Sequence, residues 1–187
     1  MEQKIIPTFD VPLMPILIAP HARLKAKARA VGKADDDAVR GIIPRMFATM
    51  YTAPGIGLAA PQVDLGLRLL VIDLMPDNKP APITMINPEI IGLSTELAVR
   101  EEGCLSLPNM YAEVTRPARV KVRYLDQTGA RQEMEAENLL SACIQHEIDH
   151  LDGVLFVDHI STLKRNMILR RLTKQKKLGK RPVAVGE

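Results

Sequence analysis

The stretch RVKVRYLDQTGARQEMEAENLLSACIQHEIDHLDG, residues 119–153, constrains the fold of this chain more than any other. Its first half alternates apolar and polar residues on both sides of Asp126-Gln127-Thr128-Gly129. Period-two alternation across such a turn predicts a β-hairpin. The second half changes period. Leu139, Cys143, His146 and His150 fall at i, i+4, i+7 and i+11, which stacks them on one face of a helix. Asn138 is the expected cap and Gly153 the expected stop. A hairpin that runs directly into a helix demands an antiparallel sheet packed on that helix. The fold class is therefore α+β, antiparallel sheets around a central helix, rather than doubly wound.

The rest of the chain fits this frame. Asp35-Asp36-Asp37 places acids at the positive end of a helix dipole. Val39, Ile42, Ile43, Met46, Phe47 and Met50 follow at helical spacing, with Gly41 and Pro44 inside the pattern predicting a late start or a kink. TAPGIGLAAPQ, 52–62, reads as a small-residue loop. LRLLVIDL, 67–74, and PITMINPEIIG, 82–92, read as strands. STLKRNMILRRLTKQKKLG reads as a C-terminal amphipathic helix with Leu163, Met167, Ile168, Leu169 and Leu172 as its apolar part. With 187 residues the chain is expected to form one domain: a catalytic body over 1–163 and a basic helix and tail over 164–187.

Composition excludes several classes. Hydrophobic residues make up 47% and charged residues 25%, as in an ordinary soluble protein. No run of about 18 apolar residues predicts a membrane span. Prolines at 7, 12, 15 and 20 break the apolar N-terminus, so no signal peptide is expected and the cytoplasm is the expected location. Cys104 and Cys143 are then expected to be reduced rather than bridged. The formal net charge of +3 conceals an asymmetry: residues 164–187 carry +8 and the remainder −5.

The helix contains HEIDH, residues 146–150. Two histidines four apart on a helix grip one metal ion, and the glutamate beside the first serves as a base. Such a site needs a third ligand. The extended metalloprotease pattern asks for histidine three residues after Gly153, where Phe156 stands. A downstream glutamate is also ruled out, because only Glu187 follows His150. Cys143 lies on the same helix, and three ligands strung along one helix span ~10 Å, too far to converge. His159, beyond the helix stop, is a lesser alternative. Cys104, in REEGCLSLPN beside Gly103, is the best-placed candidate. A thiolate with two imidazoles leaves an open position and suits a soft divalent metal.

Together, GIGLAAPQ (55–62), EGCLSLP (102–108) and QHEIDHLDG (145–153) resemble the three motifs of the peptide deformylase family, in order, within a likeness spanning roughly 10–165. That resemblance implies removal of the N-formyl group from nascent chains that begin with formyl-methionine. It implies Fe2+ as the native metal, with Zn2+, Ni2+ or Co2+ as substitutes, held by Cys104, His146 and His150. It further implies attack by a metal-bound water with Glu147 as general acid/base, and oxyanion stabilisation by Gln62 and the backbone N–H of Leu105. Gly57 and Gly103 would pair with the substrate as an added strand. Ile56, Leu139 and Cys143 would line the methionine pocket, although Leu139 and Cys143 read equally well as plain core. The basic tail is either a solvated helix or a ribosome contact near the nascent-chain exit. A monomer is expected. A metalloendoprotease and a ribosome-associated protein with a structural metal are the competing readings.

Overall fold

The computed structural model describes Pro7 and residues 9–177; residues 178–187, the end of the basic stretch, lie outside the described residues. Among the described residues seven strands and three α-helices follow one another. They are α1 (Asp36–Thr52), β1 (Gly57–Ala59), β2 (Leu69–Ile72), β3 (Ile83–Leu93), β4 (Leu97–Cys104), β5 (Leu107–Pro117), β6 (Arg119–Leu125), β7 (Arg131–Glu137), α2 (Asn138–Leu151) and α3 (Thr162–Lys177). All strand pairs are antiparallel. Five strands form one sheet in the order β1-β2-β3-β6-β7, and β4 and β5 form a separate two-stranded sheet. This is the expected α+β architecture. Among the described residues no helix is long and apolar enough to cross a membrane.

The hairpin and helix of residues 119–151 form as their pattern requires. Val120, Val122 and Tyr124 of β6 turn inward, one residue in two, and Ala136 of β7 joins them. Asp126 closes the turn by accepting from the backbone N–H groups of Thr128 and Ala130, at 2.8 and 3.1 Å. The apolar side of α2, Cys143, Ile144, Ile148 and Leu151, then packs on this face together with Leu70, Ile72 and Met85. α1 covers a second face, where Val39, Ile43, Met46, Phe47 and Met50 meet Leu58, Leu69 and Val71. A third cluster joins β5 to the C-terminal part through Leu107, Met110, Val114, Phe156, Val157 and Leu172. α2 therefore lies between the five-stranded sheet and the β4–β5 hairpin.

Several local expectations are overturned. α1 runs unbroken through Gly41 and Pro44. Burial of its apolar stripe outweighs the roughly 3 kcal/mol that an interior proline costs, and Gly41 faces open space. The segment 52–62 is only partly a loop. Gly57–Ala59 forms β1, and Ala60–Val63 a 3-10 turn. Asn138 does not cap α2 with its side chain. It sits at φ 56, the residue before it occupies the cap position without a side-chain bond, and its Oδ1 accepts from Arg100 instead. Gly153 does end the helix, at φ +74, where a Cβ would stand 2.6 Å from the Lys25 carbonyl oxygen. On α3 only Ile168, Leu169 and Leu172 turn inward, whereas Leu163 and Met167 are exposed. The stripe is thus narrower than its residues suggest.

Candidate metal centre and active site

β4 delivers the cysteine. Its alternate residues Ala98, Arg100, Glu102 and Cys104 share the face turned toward α2, and Cys104 ends the strand just before the Leu105-Ser106 connection to β5. α2 delivers His146 and His150, one turn apart, with ring centroids 5.0 Å apart and edge to face. Ligand atoms of Cys104, His146 and His150 all lie within 4.8 Å of one another, with Cys104 Sγ 3.2 Å from His150 Nε2. His159 stays outside this group and contacts Asp149 at 2.7 Å. Cys143 lies one turn down α2, its Sγ directed to the Ile56 carbonyl at 3.8 Å.

Of the two histidines His146 has a fixed partner behind its ring, whereas His150 Nδ1 is buried with no hydrogen-bond partner among the described residues. His146 Nδ1 lies 2.8 Å from Glu102 Oε2, which leaves its Nε2 for the centre. Arg116 grips Glu102 with Nε and Nη2 and reaches Asp149 with Nη1 at 2.8 Å, so a buried guanidinium ties β5, β4 and α2 together. Burial alone would raise the Glu102 carboxyl, but the bonds to His146 and Arg116 outweigh it and hold the group at about 2. Burial also works against a charged His146 ring, yet contact with Cys104 and Glu102 raises its pKa well above the ordinary value. Burial pushes His150 the other way, far below. Phe156 stacks on His146 with ring centroids 6.3 Å apart. One thiol and two imidazoles, converging and backed by a carboxylate, suit a divalent transition metal.

Glu147 follows His146 and is therefore rotated about 100° around α2. It is buried, its Oε2 has no hydrogen-bond partner, and burial raises its carboxyl to about 7. Gly57 of β1 lies directly against it. A Cβ there would overlap Glu147 Oε1 and stand 2.9 Å from its Cδ and 3.0 Å from Cys143 Sγ. Gln62, buried in the turn after β1, accepts from the Ala59 N–H through Oε1 at 2.8 Å. That bond orients its amide, and Nε2 then approaches Ser106 Oγ at 3.2 Å and Cys104 Sγ at 3.5 Å. Leu105 follows Cys104 and packs against the α1 cluster. Gly103 lies beneath the Tyr111 ring, 2.7 Å from a Cβ built on it.

The five residues Cys104, His146, His150, Glu147 and Gln62 thus meet at one place, flanked by Gly57, Leu105 and Gly103. Ile56 and Leu139 are part-exposed at 37% and 47%, and Cys143 is buried. Sequence reasoning missed Glu102, Ser106, Arg116 and Asp149. Glu102 was findable, because period-two alternation puts it on the same strand face as Cys104. Nothing local marks Arg116, which reaches the site across the hairpin.

The chain is similar in sequence and fold to known proteins. A sequence model of the family described as polypeptide deformylase matches residues 13–166. A peptide deformylase of Mesorhizobium japonicum is 53% identical over 165 residues, covering 88% of this chain and 93% of that one. The crystal structure of a peptide deformylase from Legionella pneumophila superposes with a TM-score of 0.83 at 45% identity, covering 91% and 99%. A Met-Ala-Ser-bound deformylase from Acinetobacter baumannii gives 0.75 at 34% identity, covering 80% and 99%. On this agreement of sequence and fold, the chain belongs to the polypeptide deformylase family.

Proposed function

We propose that this protein removes the N-formyl group from the formyl-methionine that begins nascent polypeptides. The observation that carries the reading is Glu147: a buried carboxyl raised to about 7, with one free oxygen, beside the converging Cys104, His146 and His150. Those three residues would hold Fe2+, or Zn2+, Ni2+ or Co2+ in its place, and the ion would supply Lewis-acid activation of water and of the formyl carbonyl.

Glu147 takes the proton of the attacking water and returns it to the amide nitrogen as the C–N bond breaks. A carboxyl poised near neutrality serves in both directions. Gln62 Nε2 and the backbone N–H of Leu105 donate to the developing oxyanion, each worth ~2–4 kcal/mol at the transition state. The peptide adds as a strand between two edges that lack a second partner among the described residues. There β1 is the edge strand of its sheet, and β4 pairs with β5 alone. The methionine side chain enters between Ile56, Leu139 and Cys143. The Acinetobacter relative, bound to Met-Ala-Ser, supports an N-terminal methionyl peptide as the ligand of such a cleft.

The substrate arises at the ribosome, so the protein works in the cytoplasm, as a monomer in this reading. The exposed Lys164, Arg170, Arg171 and Lys174 of α3 support an electrostatic contact with ribosomal RNA. The assignment is tested by release of formate from formyl-Met-Ala-Ser against release of acetate from its acetyl analogue, with protein prepared without oxygen. Formate release is expected to be far faster. Equal rates, or cleavage of internal peptide bonds in casein, would overturn the reading in favour of a less selective amidase or an endoprotease.

A further inference from the structure

Arg100 lies on the strand that the formyl peptide would line, and its charge is uncommitted. It belongs to the α2-facing register of β4, two residues outward from Glu102 and four from Cys104. Among the described residues it forms no salt bridge, and its one side-chain bond is Nη2 to Asn138 Oδ1 at 3.3 Å. The nearest acid on its own strand face, Glu102, is taken by Arg116 and His146. The other nearby cation of this face, Arg116, is saturated by Glu102 and Asp149. Asn138 begins α2, whose first turn contains no acid, and the acid at its N-cap, Glu137, forms no salt bridge with Arg100. Leu139, the next residue, is one of the groups assigned to the methionine pocket. Arg100 therefore stands half-buried at the outer end of the proposed substrate cleft with no acid paired to it among the described residues.

We propose that Arg100 is a specificity-determining residue, which reads the third residue of the formylated peptide and favours a carboxylate there. The inference rests on the proposed addition of the substrate as a strand along β4. Side chains of a strand alternate between faces. Methionine, directed toward α2, fixes the parity: the second residue faces solvent, and the third returns to the α2 face. Two residues advance a strand by ~7 Å, the same step that separates Arg100 from Glu102. The extended side chain of Arg100 then brings its guanidinium beside the third side chain. On the solvent-facing register Glu101 stands opposite Glu113, so a carboxylate at the second position meets two acids instead. The two positions are thereby given opposite preferences by the same strand.

The test uses the full-length protein with formyl-Met-Ala-Asp, formyl-Met-Ala-Ser and formyl-Met-Ala-Lys, all as C-terminal amides, and a matched set with the charge at the second position. The expected result is kcat/KM about three- to tenfold higher for Asp than for Lys at the third position, with a smaller or reversed ratio at the second. In Arg100→Leu and in Arg100→Gln the third-position ratio is expected to fall to about two or less, and Gln separates charge from bulk. Raising the salt concentration should shrink the wild-type ratio in the same way, a readout that needs no variant. An Asp/Lys ratio near one in the wild type, a ratio unchanged by both substitutions, or a preference for Asp confined to the second position overturns the proposal while leaving deformylation intact. Absence of formate release from all peptides would overturn the underlying reading and this proposal together.

Discussion

Replacing Gly57 with alanine adds one methyl group at the point where β1 touches the Glu147 carboxylate. The new Cβ would overlap Glu147 Oε1 and stand 2.9 Å from Glu147 Cδ and 3.0 Å from Cys143 Sγ. Ordinary contact between such atoms is ~3.5 Å, so the Glu147 carboxylate must withdraw by about 1 Å while the sulfur gives by a few tenths. The carboxylate cannot swing outward easily, since α2 is fixed by Ile144, Ile148 and Leu151 in the core. Overpacking of this kind costs ~1–3 kcal/mol of stability. A misplacement of ~1 Å at a proton-transferring group costs on the order of 10²-fold in rate. Gly57→Ala should therefore lose kcat by roughly 10- to 100-fold and unfold a few degrees earlier, yet keep its metal, because Cys104, His146 and His150 are untouched.

Formate release, thermal unfolding and metal stoichiometry after gel filtration read the three quantities separately. Two companions sharpen the test. Gly41→Ala places its methyl where nothing stands within 4 Å on an exposed helix position, and should raise stability by about 0.5–1 kcal/mol with unchanged turnover. Gly57→Ala combined with Cys143→Ala relieves the sulfur contact but not the carboxylate contact, so it should recover part of the stability and little of the rate. Full activity in Gly57→Ala would refute the reasoning, since the carboxylate would then tolerate displacement. So would loss of metal with intact kcat per bound ion.

Two further outcomes are expected. Cys104→Ala should lose metal on gel filtration, whereas Cys143→Ala should keep metal and most activity, and Glu147→Ala should keep metal with kcat lower by roughly 10²–10⁴; retention in Cys104→Ala with loss in Cys143→Ala would reverse the ligand assignment. Neutralising Lys164, Arg170, Arg171 and Lys174 together should weaken co-sedimentation with ribosomes without exposing core, because Leu172 stays buried; unchanged co-sedimentation would leave α3 a solvated packing helix.

The fold was legible wherever periodicity and turn chemistry agreed. The 119–137 hairpin and the helix after it satisfy both, and both formed at the expected places. It was illegible where burial on two sides erased the pattern. β1 is three residues, Gly57–Ala59, all buried, and no alternation survives in so short a strand. The β4–β5 hairpin is hidden for another reason. Leu97, Val99 and Tyr111 are exposed while Glu102 and Arg116 are buried, the inverse of the pattern that hydropathy reads. A strand that buries ions to support a metal centre and leaves apolar groups outward breaks the rule at the very place where function needs it.

The site itself divides in the same way. The groups proposed to touch the reacting atoms were legible because each is locally marked: two histidines by their helical spacing, Glu147 by its place between them, Cys104 by elimination. The groups that orient them were not, because their partners come from elsewhere in the fold. Arg116 is fourteen residues from Glu102 and thirty-three from Asp149, and only the β4–β5 register and the packing of α2 bring the three together. The consequence for the chemistry is direct. A carboxylate held at about 2 behind His146 keeps that ring turned one way, while Glu147, one residue on and without a cation bonded to it, is left at about 7. Two glutamates in one buried site thus differ because His146 and Arg116 bond one and not the other. That difference fits the proposed roles, Glu102 holding a ligand and Glu147 moving a proton.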